Sequence, residues 1–283
     1  MATLAVITDE ISEDLSHVLA VCTELGIHEV ELRSIDGASI VDHSDASIAN
    51  IHSMLADGGF RVVNIASPFL KTFVGDERAA IGNVHSAKSL SREQHWDVLK
   101  RSLEIAHALD VPMVRAFSFW RVADPESVRD DVLETLGRAT EITKDAGKLL
   151  GLENEHACNI GDGHEAKWYL DRIPDPTLGL IWDPGNIAAL GHQPDFAQYE
   201  AIADRIIHVH VKDGNAIPAT SFVPPGEGVC DWEQQLRWLH QGGYDGPLSL
   251  ETHFALDGSI EAGTRAIAES MRRLAGRAGM PLL

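Results

Sequence analysis

"LAVITDEIS", residues 4–12, decides the fold class. A five-residue apolar, β-prone run meets an aspartate and a glutamate at once. An open doubly wound sheet usually leaves its first strand through a glycine-rich turn whose amides cradle phosphate. Here the strand runs into "TDEIS", with no G-x-G-x-x-G after it, and no G-x-x-x-x-G-K-[ST] occurs anywhere in the chain. Working outward, short apolar runs alternate with amphipathic stretches along the whole length. The further strand candidates are 29–33, 61–67, 112–118, 149–154, 178–183, 206–211 and 248–251. Between them lie helical periods such as "SEDLSHVLAVCTELG", "SREQHWDVLKRSLEIAHALD" and "DDVLETLGRATEITKDAGK". Ser91 and Gln94 have the spacing of a capping box, and Gly26, Gly147 and Gly242 sit where helices should stop. Eight strands alternating with about eight helices predict an α/β fold, a single (β/α)8 TIM barrel spanning residues 1–283 as one domain.

Composition sets the outer bounds. The 283 residues carry 23 basic and 43 acidic side chains, a formal charge of −20. Such a surface repels phosphate backbones and anionic lipid, so neither nucleic acid nor membrane is expected as a partner. The three cysteines, Cys22, Cys158 and Cys230, are widely spaced and odd in number, which argues against a disulfide framework and fits a reducing cytoplasm. "MATLAVITDE" lacks the basic and long apolar regions of a secretion signal, and no run of about 18 apolar residues occurs. The irregular stretch 68–90, "PFLKTFVGDERAAIGNVHSAKSL", is expected to be a lid or substrate loop.

Strand alternation then sorts the charged residues. In "LLGLENEH" Leu150 and Leu152 take one face, while Gly151, Glu153 and Glu155 take the other. The same division sets Leu178, Leu180 and Trp182 against Gly179, Ile181 and Asp183. It sets Ile207, Val209 and Val211 against His208, His210 and Lys212, and Leu248 and Leu250 against Ser249, Glu251 and His253. The apolar face suits the helix layer, so the polar face must look into the barrel. Polar groups gather at the C-terminal strand ends, where barrel sites are built. Glu153, Asp183, His210 and Glu251 are therefore expected to meet at one mouth. Three carboxylates in a partly desolvated pocket would each be driven towards protonation unless a cation were present. With one imidazole they form a hard, oxygen-rich set suited to one divalent ion, Mn²⁺ or Mg²⁺ first and Co²⁺ or Zn²⁺ after them.

With these residues placed, the chain resembles the sugar phosphate isomerase/epimerase superfamily, the xylose-isomerase-like barrels that include endonuclease IV. The resemblance rests on the order of "ELR", "LENEH", "WDPGN", "HVHVKD", "PGEG" and "GYDGPLSLE" along essentially the whole chain. In ketose 3-epimerases of this type two glutamates, an aspartate and a histidine hold one divalent ion, and the glutamates serve as the acid/base pair. The resemblance carries ligand roles onto Glu153, Asp183, His210 and Glu251, and catalytic roles onto Glu153 and Glu251. It implies a metal-dependent isomerase or epimerase of a ketose, keto-sugar or keto-polyol working through an enediolate. A lyase or dehydratase on the same metal site is the alternative. Relatives often place histidine three positions after the strand-6 aspartate; here Asn186 stands there, and an amide can hydrogen-bond a hydroxyl but cannot shuttle a proton.

Arg33, His156, Asn186 and Lys212 are the expected substrate contacts. Arg33 has an ion pair with Glu31 or another barrel carboxylate as its plain alternative, and Lys212 a pairing with an acidic ligand. Glu155 shares the parity of Glu153 and rivals it as ligand. His208 reads as a satisfied core histidine, Cys158 as a small buried or loop residue with no dedicated base, and Trp182 as helix-facing. A zinc-dependent apurinic endonuclease would need more ligands and a basic surface, and a non-catalytic binding barrel is the remaining alternative. The partner expected is a small sugar or polyol, with a homo-oligomer left open.

Overall fold

In the computed structural model, which describes residues 1–75 and 90–283, eight parallel strands close into a barrel. They are β1 (Thr3–Ile7), β2 (Glu29–Leu32), β3 (Arg61–Phe69), β4 (Met113–Ala116), β5 (Leu149–Glu153), β6 (Leu178–Trp182), β7 (Ile206–Val211) and β8 (Pro247–Leu250). Each predicted strand run overlaps one of them. Each strand pairs with its sequence neighbours, and β8 pairs back to β1. Two short antiparallel hairpins, Ser34–Ile35 with Ala38–Ser39 and Asp213–Gly214 with Phe222–Val223, follow β2 and β7. The helices are α1 (Leu15–Leu25), α2 (Asp45–Asp57), α3 (Gln94–Ala108), α4 (Arg129–Asp145), α5 (Gly163–Leu170), α6 (Pro184–Leu190), α7 (Phe196–Ile202), α8 (Trp232–Gln241) and α9 (Ile260–Ala278). Among the described residues no helix is long and apolar enough to cross a membrane.

Local chemistry sets the helix ends. The Asp14 carboxylate accepts from the amides of Ser16 and His17 to start α1, and Gly26 ends it at φ +65°. The capping box is reciprocal: Ser91 N donates to Gln94 Oε1 (2.9 Å) and Gln94 N to Ser91 Oγ (3.2 Å). Gly147 is left-handed as expected, whereas after α8 that conformation falls on Gly243 rather than Gly242. Of the expected lid stretch 68–90, only 68–75 and Leu90 are described; 76–89 lie outside the described residues.

Leu150, Leu152, Leu178, Leu180, Val209, Val211, Leu248 and Leu250 are buried in the layer between sheet and helices. Trp182 donates from Nε1 to Gln235 Oε1 of α8, which puts it on the helix side. One residue departs from the alternation. The β6–β7 register slips, so that Leu180 opposes Ile206 but Ile181 opposes His208. This bulge turns Ile207 towards Gly179, where an added Cβ would meet Ile207 Cγ2 at 2.5 Å. Ile207 therefore packs against the inward glycine instead of joining the helix-facing set. Gly179→Ala is expected to destabilise the fold by about 1–3 kcal/mol through overpacking, and Ile207→Ala in the same chain should recover much of that loss. Denaturant unfolding of the two single variants and the double variant measures the coupling; additive effects would place Ile207 elsewhere.

Candidate metal centre and active site

Asp183 shows how the backbone builds the site. It is the N-cap of α6: its Oδ1 accepts from Asn186 N at 2.9 Å, and Pro184 occupies the first helical turn. With Oδ1 committed to the helix, Oδ2 receives Lys212 Nζ at 2.8 Å and Asn186 Nδ2 at 2.9 Å. Gly185 lies so close to β7 that a Cβ there would meet the Lys212 carbonyl oxygen at 2.8 Å. Asn154, next to Glu153, clamps the Asp183 backbone by accepting from its N–H (2.9 Å) and donating to its carbonyl (2.8 Å). The "DPGN" motif is thus at once a helix start and a carboxylate mount.

Glu153, Asp183, His210 and Glu251 come together as expected. Each offers one ligand atom, and these atoms all lie within 4.8 Å of one another, with all four residues buried. Glu153 Oε1 is 3.4 Å and Glu251 Oε2 3.6 Å from His210 Nδ1. The other oxygen of each glutamate is held by an arginine. Arg115 Nη1 donates to Glu153 Oε2 at 3.0 Å, and Arg33 Nη1 to Glu251 Oε1 at 3.1 Å. His253 Nε2 also lies 3.0 Å from Glu251 Oε1.

Charge decides the protonation of the cluster. Burial drives every carboxyl here upward, but for Glu153 the charges of His210 and Arg115 outweigh it, leaving the group below its ordinary range. For Glu251, Lys212 and His253 outweigh burial by more. Asp183 alone of the three is pushed up, to about 7, by burial and then by the negative charges of Glu251 and Glu153, against the pull of Lys212. The expected mutual repulsion therefore falls mainly on Asp183, whose cation, Lys212, is shared with Glu251.

Glu31 was not foreseen as part of the site. Completely buried on β2, it accepts from Asn64 Nδ2 at 2.8 Å and faces both His208 Nε2 (3.0 Å) and His210 Nε2 (3.2 Å). Burial raises its carboxyl, and His210 with His208 more than reverses this. His210 is held well above its ordinary range, since Glu31 and Glu153 outweigh its burial. With Nε2 fixed on Glu31, the Nδ1 of His210 turns to the cluster, where it is a buried nitrogen without a hydrogen-bond partner among the described residues. His208 is a satisfied histidine, as read, completed by Ser249 Oγ at 2.9 Å. The signal that could have found Glu31 and Arg115 is the same alternation, since both are inward charges within apolar strands. Asn154 gave no such signal, since its parity is that of the helix layer.

A cavity of about 1030 Å³ opens beside the cluster, with Glu251 in its lining. Arg33 and Lys212 line it, but both are engaged. Arg33 pairs with Asp9 (2.9 Å), Glu10 (2.5 Å) and Glu251 rather than with Glu31, and Lys212 with Asp183 and Glu251 (2.7 Å). Glu155 stands apart from the four-residue cluster, with Oε1 2.7 Å from His156 Nδ1 and Oε2 3.6 Å from Lys71 Nζ. His156 Nδ1 also lies 2.9 Å from Asn186 Oδ1, and Asn186 Nδ2 donates to Glu153 Oε1 at 3.3 Å. The Cys158 thiol is buried and pushed up, first by burial and then by Glu155, the opposite of a nucleophile's environment. Asp213, at the end of the "HVHVKD" motif, gathers the amides of Gly226, Gly228 and Cys230 and so ties the "PGEG" loop to β7.

Because Asp183 is neutral in the fold up to about pH 7 but ionises near 3.8 when unfolded, its cost to stability grows as pH rises through that window and is complete above it. In chelator-treated protein the parent is expected to lose stability between pH 5 and pH 8, as Asp183 is forced to ionise in the fold, and Asp183→Asn, which cannot ionise, should lose less over the same range. Urea unfolding of both at the two pH values reads this; an equal pH dependence in the two would contradict the assignment.

The sequence profile of the xylose isomerase-like TIM barrel family matches residues 19–275. The chain is 25% identical over 244 residues to the L-ribulose-5-phosphate 3-epimerase UlaE of Salmonella heidelberg (strain SL476), covering 82% of this chain and 80% of that one. Its fold is similar to that of the IolI protein solved with a bound zinc atom, with a TM-score of 0.78, 18% identity, and 98% and 99% of the two chains covered. It is also similar to a D-tagatose 3-epimerase-like protein, with a TM-score of 0.75, 19% identity and 98% and 97% covered. With the closed barrel and the buried cluster at its mouth, the profile match makes this chain a member of the xylose isomerase-like TIM barrel family.

Proposed function

We propose that this chain is a divalent-metal-dependent isomerase or epimerase of a ketose or related keto-sugar. One observation carries the reading: three carboxylates and the partnerless Nδ1 of His210 converge within 4.8 Å at the C-terminal mouth of the barrel. A buried nitrogen without a hydrogen-bond partner, facing carboxylate oxygens, fits a cation better than it fits a proton network. Glu153, Asp183, His210 through Nδ1, and Glu251 would hold the ion, with Mn²⁺ or Mg²⁺ favoured by the oxygen-rich set. Bound there, it would polarise the carbonyl and hydroxyl oxygens of a keto-sugar and acidify the neighbouring C–H bond.

The chain's own groups then divide the work. Glu153 rises from β5 and Glu251 from β8, with β6 and β7 between them, so the two carboxylates flank the cluster. One takes the proton next to the carbonyl, and the other returns one to the opposite face or to the neighbouring carbon. Arg115 and Arg33 fix the second oxygen of each glutamate and keep both available as bases. The Lys212 ammonium, beside Asp183 and Glu251, stabilises negative charge developing on the substrate oxygens. The named activity of the UlaE relative, 3-epimerisation of a ketose phosphate, is chemistry of this kind.

Incubation of the Mn²⁺-loaded protein with ketoses, inososes and 3-keto-glycosides in D₂O tests the reading. Deuterium should enter the carbon next to the carbonyl, and a chelator should abolish the exchange. Exchange accompanied by loss of water or aglycone would move the assignment to a lyase. No exchange on any substrate, with metal bound, would remove the isomerase reading. Glu153→Gln and Glu251→Gln should each cut exchange by about a hundredfold or more while the fold persists. Glu31→Gln, which touches no substrate, should lower Mn²⁺ affinity by roughly 10- to 100-fold, read by calorimetry, because the imidazole loses its anionic anchor. Unchanged affinity would reduce Glu31 to a packing role.

A further inference from the structure

Lysine and arginine side chains line the cavity from several strands, and among the described residues most are saturated. Arg33 is gripped by three carboxylates and Lys212 by two. Arg115 donates to Glu153 and to the carbonyls of Ala66 and Ser67, and Arg121 to Glu165 and the Cys158 carbonyl. Lys71 differs. Its side chain is only 11% exposed, yet its nearest carboxylate oxygen among the described residues, Glu155 Oε2, lies at 3.6 Å, beyond hydrogen-bond reach. The ammonium rests over the rings of Phe117 (4.6 Å) and Trp120 (5.6 Å), which favour a cation but accept no ordinary hydrogen bond. An ammonium has three donors, and donors so nearly removed from water are normally satisfied.

This lysine is held in place. Segment 69–72 runs alongside 117–120 through Phe117 N to Phe69 O (2.9 Å), Phe119 N to Leu70 O (3.0 Å) and Trp120 N to Thr72 O (2.7 Å). Leu70 N donates to His95 Nδ1 at 3.0 Å, which requires an unprotonated nitrogen there, and burial pushes His95 down to about 4. Glu155 cannot neutralise the lysine alone, because its other oxygen is 2.7 Å from His156, whose imidazole is held above its ordinary range when Glu155 outweighs burial. One carboxylate is thus shared between Lys71 and His156. In the ring of strands β3 lies on the far side of β4 and β5 from Asp183 and His210. A cavity of about 1030 Å³ also exceeds what a small free sugar fills.

We propose that Lys71 anchors an anionic substituent, a carboxylate or a phosphate monoester, on the end of the substrate remote from the reacting carbonyl. The inference rests on the keto-sugar reading for the identity of the substrate, but the anion site itself is testable without turnover. An oxyanion at Lys71 would supply the missing acceptors as charge-assisted hydrogen bonds in a desolvated setting.

The test titrates inorganic phosphate and, separately, acetate into the metal-loaded parent, Lys71→Met and Lys71→Arg, followed by calorimetry. The parent should bind one of the two, which distinguishes the phosphate from the carboxylate source. Lys71→Met should weaken that binding by about tenfold or more, and Lys71→Arg, which keeps the charge, should retain most of it. Equal binding by parent and Lys71→Met, or binding of neither anion by the parent, would overturn the proposal. D₂O exchange on a ketopentose and its 5-phosphate then reads selectivity: Lys71→Met should raise KM for the phosphorylated or carboxylated sugar more than for the neutral one. Equal effects on both would overturn the anionic assignment. A chain that exchanges no keto-sugar but loses anion binding on Lys71→Met keeps this site and loses the isomerase reading instead.

Discussion

The interaction on which the site depends is the pairing of desolvated carboxylates with cations at the barrel mouth. Glu31, Glu153, Asp183 and Glu251 are all withdrawn from water, where an uncompensated charge would cost several kcal/mol. The chain meets this with Arg33, Arg115, Lys212 and His210, distributed so that each glutamate has at least one cation within hydrogen-bond distance. Asp183 receives the least net compensation and remains the carboxyl most easily protonated. Negative oxygens are thereby assembled with one imidazole nitrogen facing them, the arrangement on which the proposed metal-dependent function rests.

Backbone geometry delivers that arrangement. The carboxylate of Asp183 is fixed by the helix it starts, and Asn154 bolts its backbone to the end of β5. His210 is oriented from behind by Glu31, so the nitrogen presented to the cluster follows from a contact between β7 and β2 across the barrel interior. These supporting groups explain how polar residues at a strand end can be held still. Each has a partner from a different strand or from a helix terminus, and moving one breaks a hydrogen bond elsewhere.

Much of this was legible along the chain. Each of the eight strand runs overlaps a barrel strand, and the four residues at the ends of β5 to β8 meet, because the two-residue alternation of a strand is a property of the local backbone. The parity argument put Trp182 on the helix side, but it could not separate Glu155 from Glu153, which share a face; the fold alone sets Glu155 apart from the cluster. It failed at Ile207, where a register slip between β6 and β7 adds a residue and breaks the alternation. It gave no view of Asn154 either, whose partners are backbone groups of the next strand.

The sequence by itself determined the order of strands and helices, the faces of most strands, and the convergence of acidic groups on one mouth. Periodicity and capping are local, and barrel closure then follows from burying every apolar face. Only the tertiary structure decided which cation stands beside which carboxylate. Arg33 left Glu31 for Asp9, Glu10 and Glu251, Glu31 became the anchor of His210, and Lys71 emerged as a cation short of acceptors. Long side chains reach several Å from their strands, and their pairing is set by competition among all the charges of a desolvated cavity. That competition has no period, so no spacing along the chain records it.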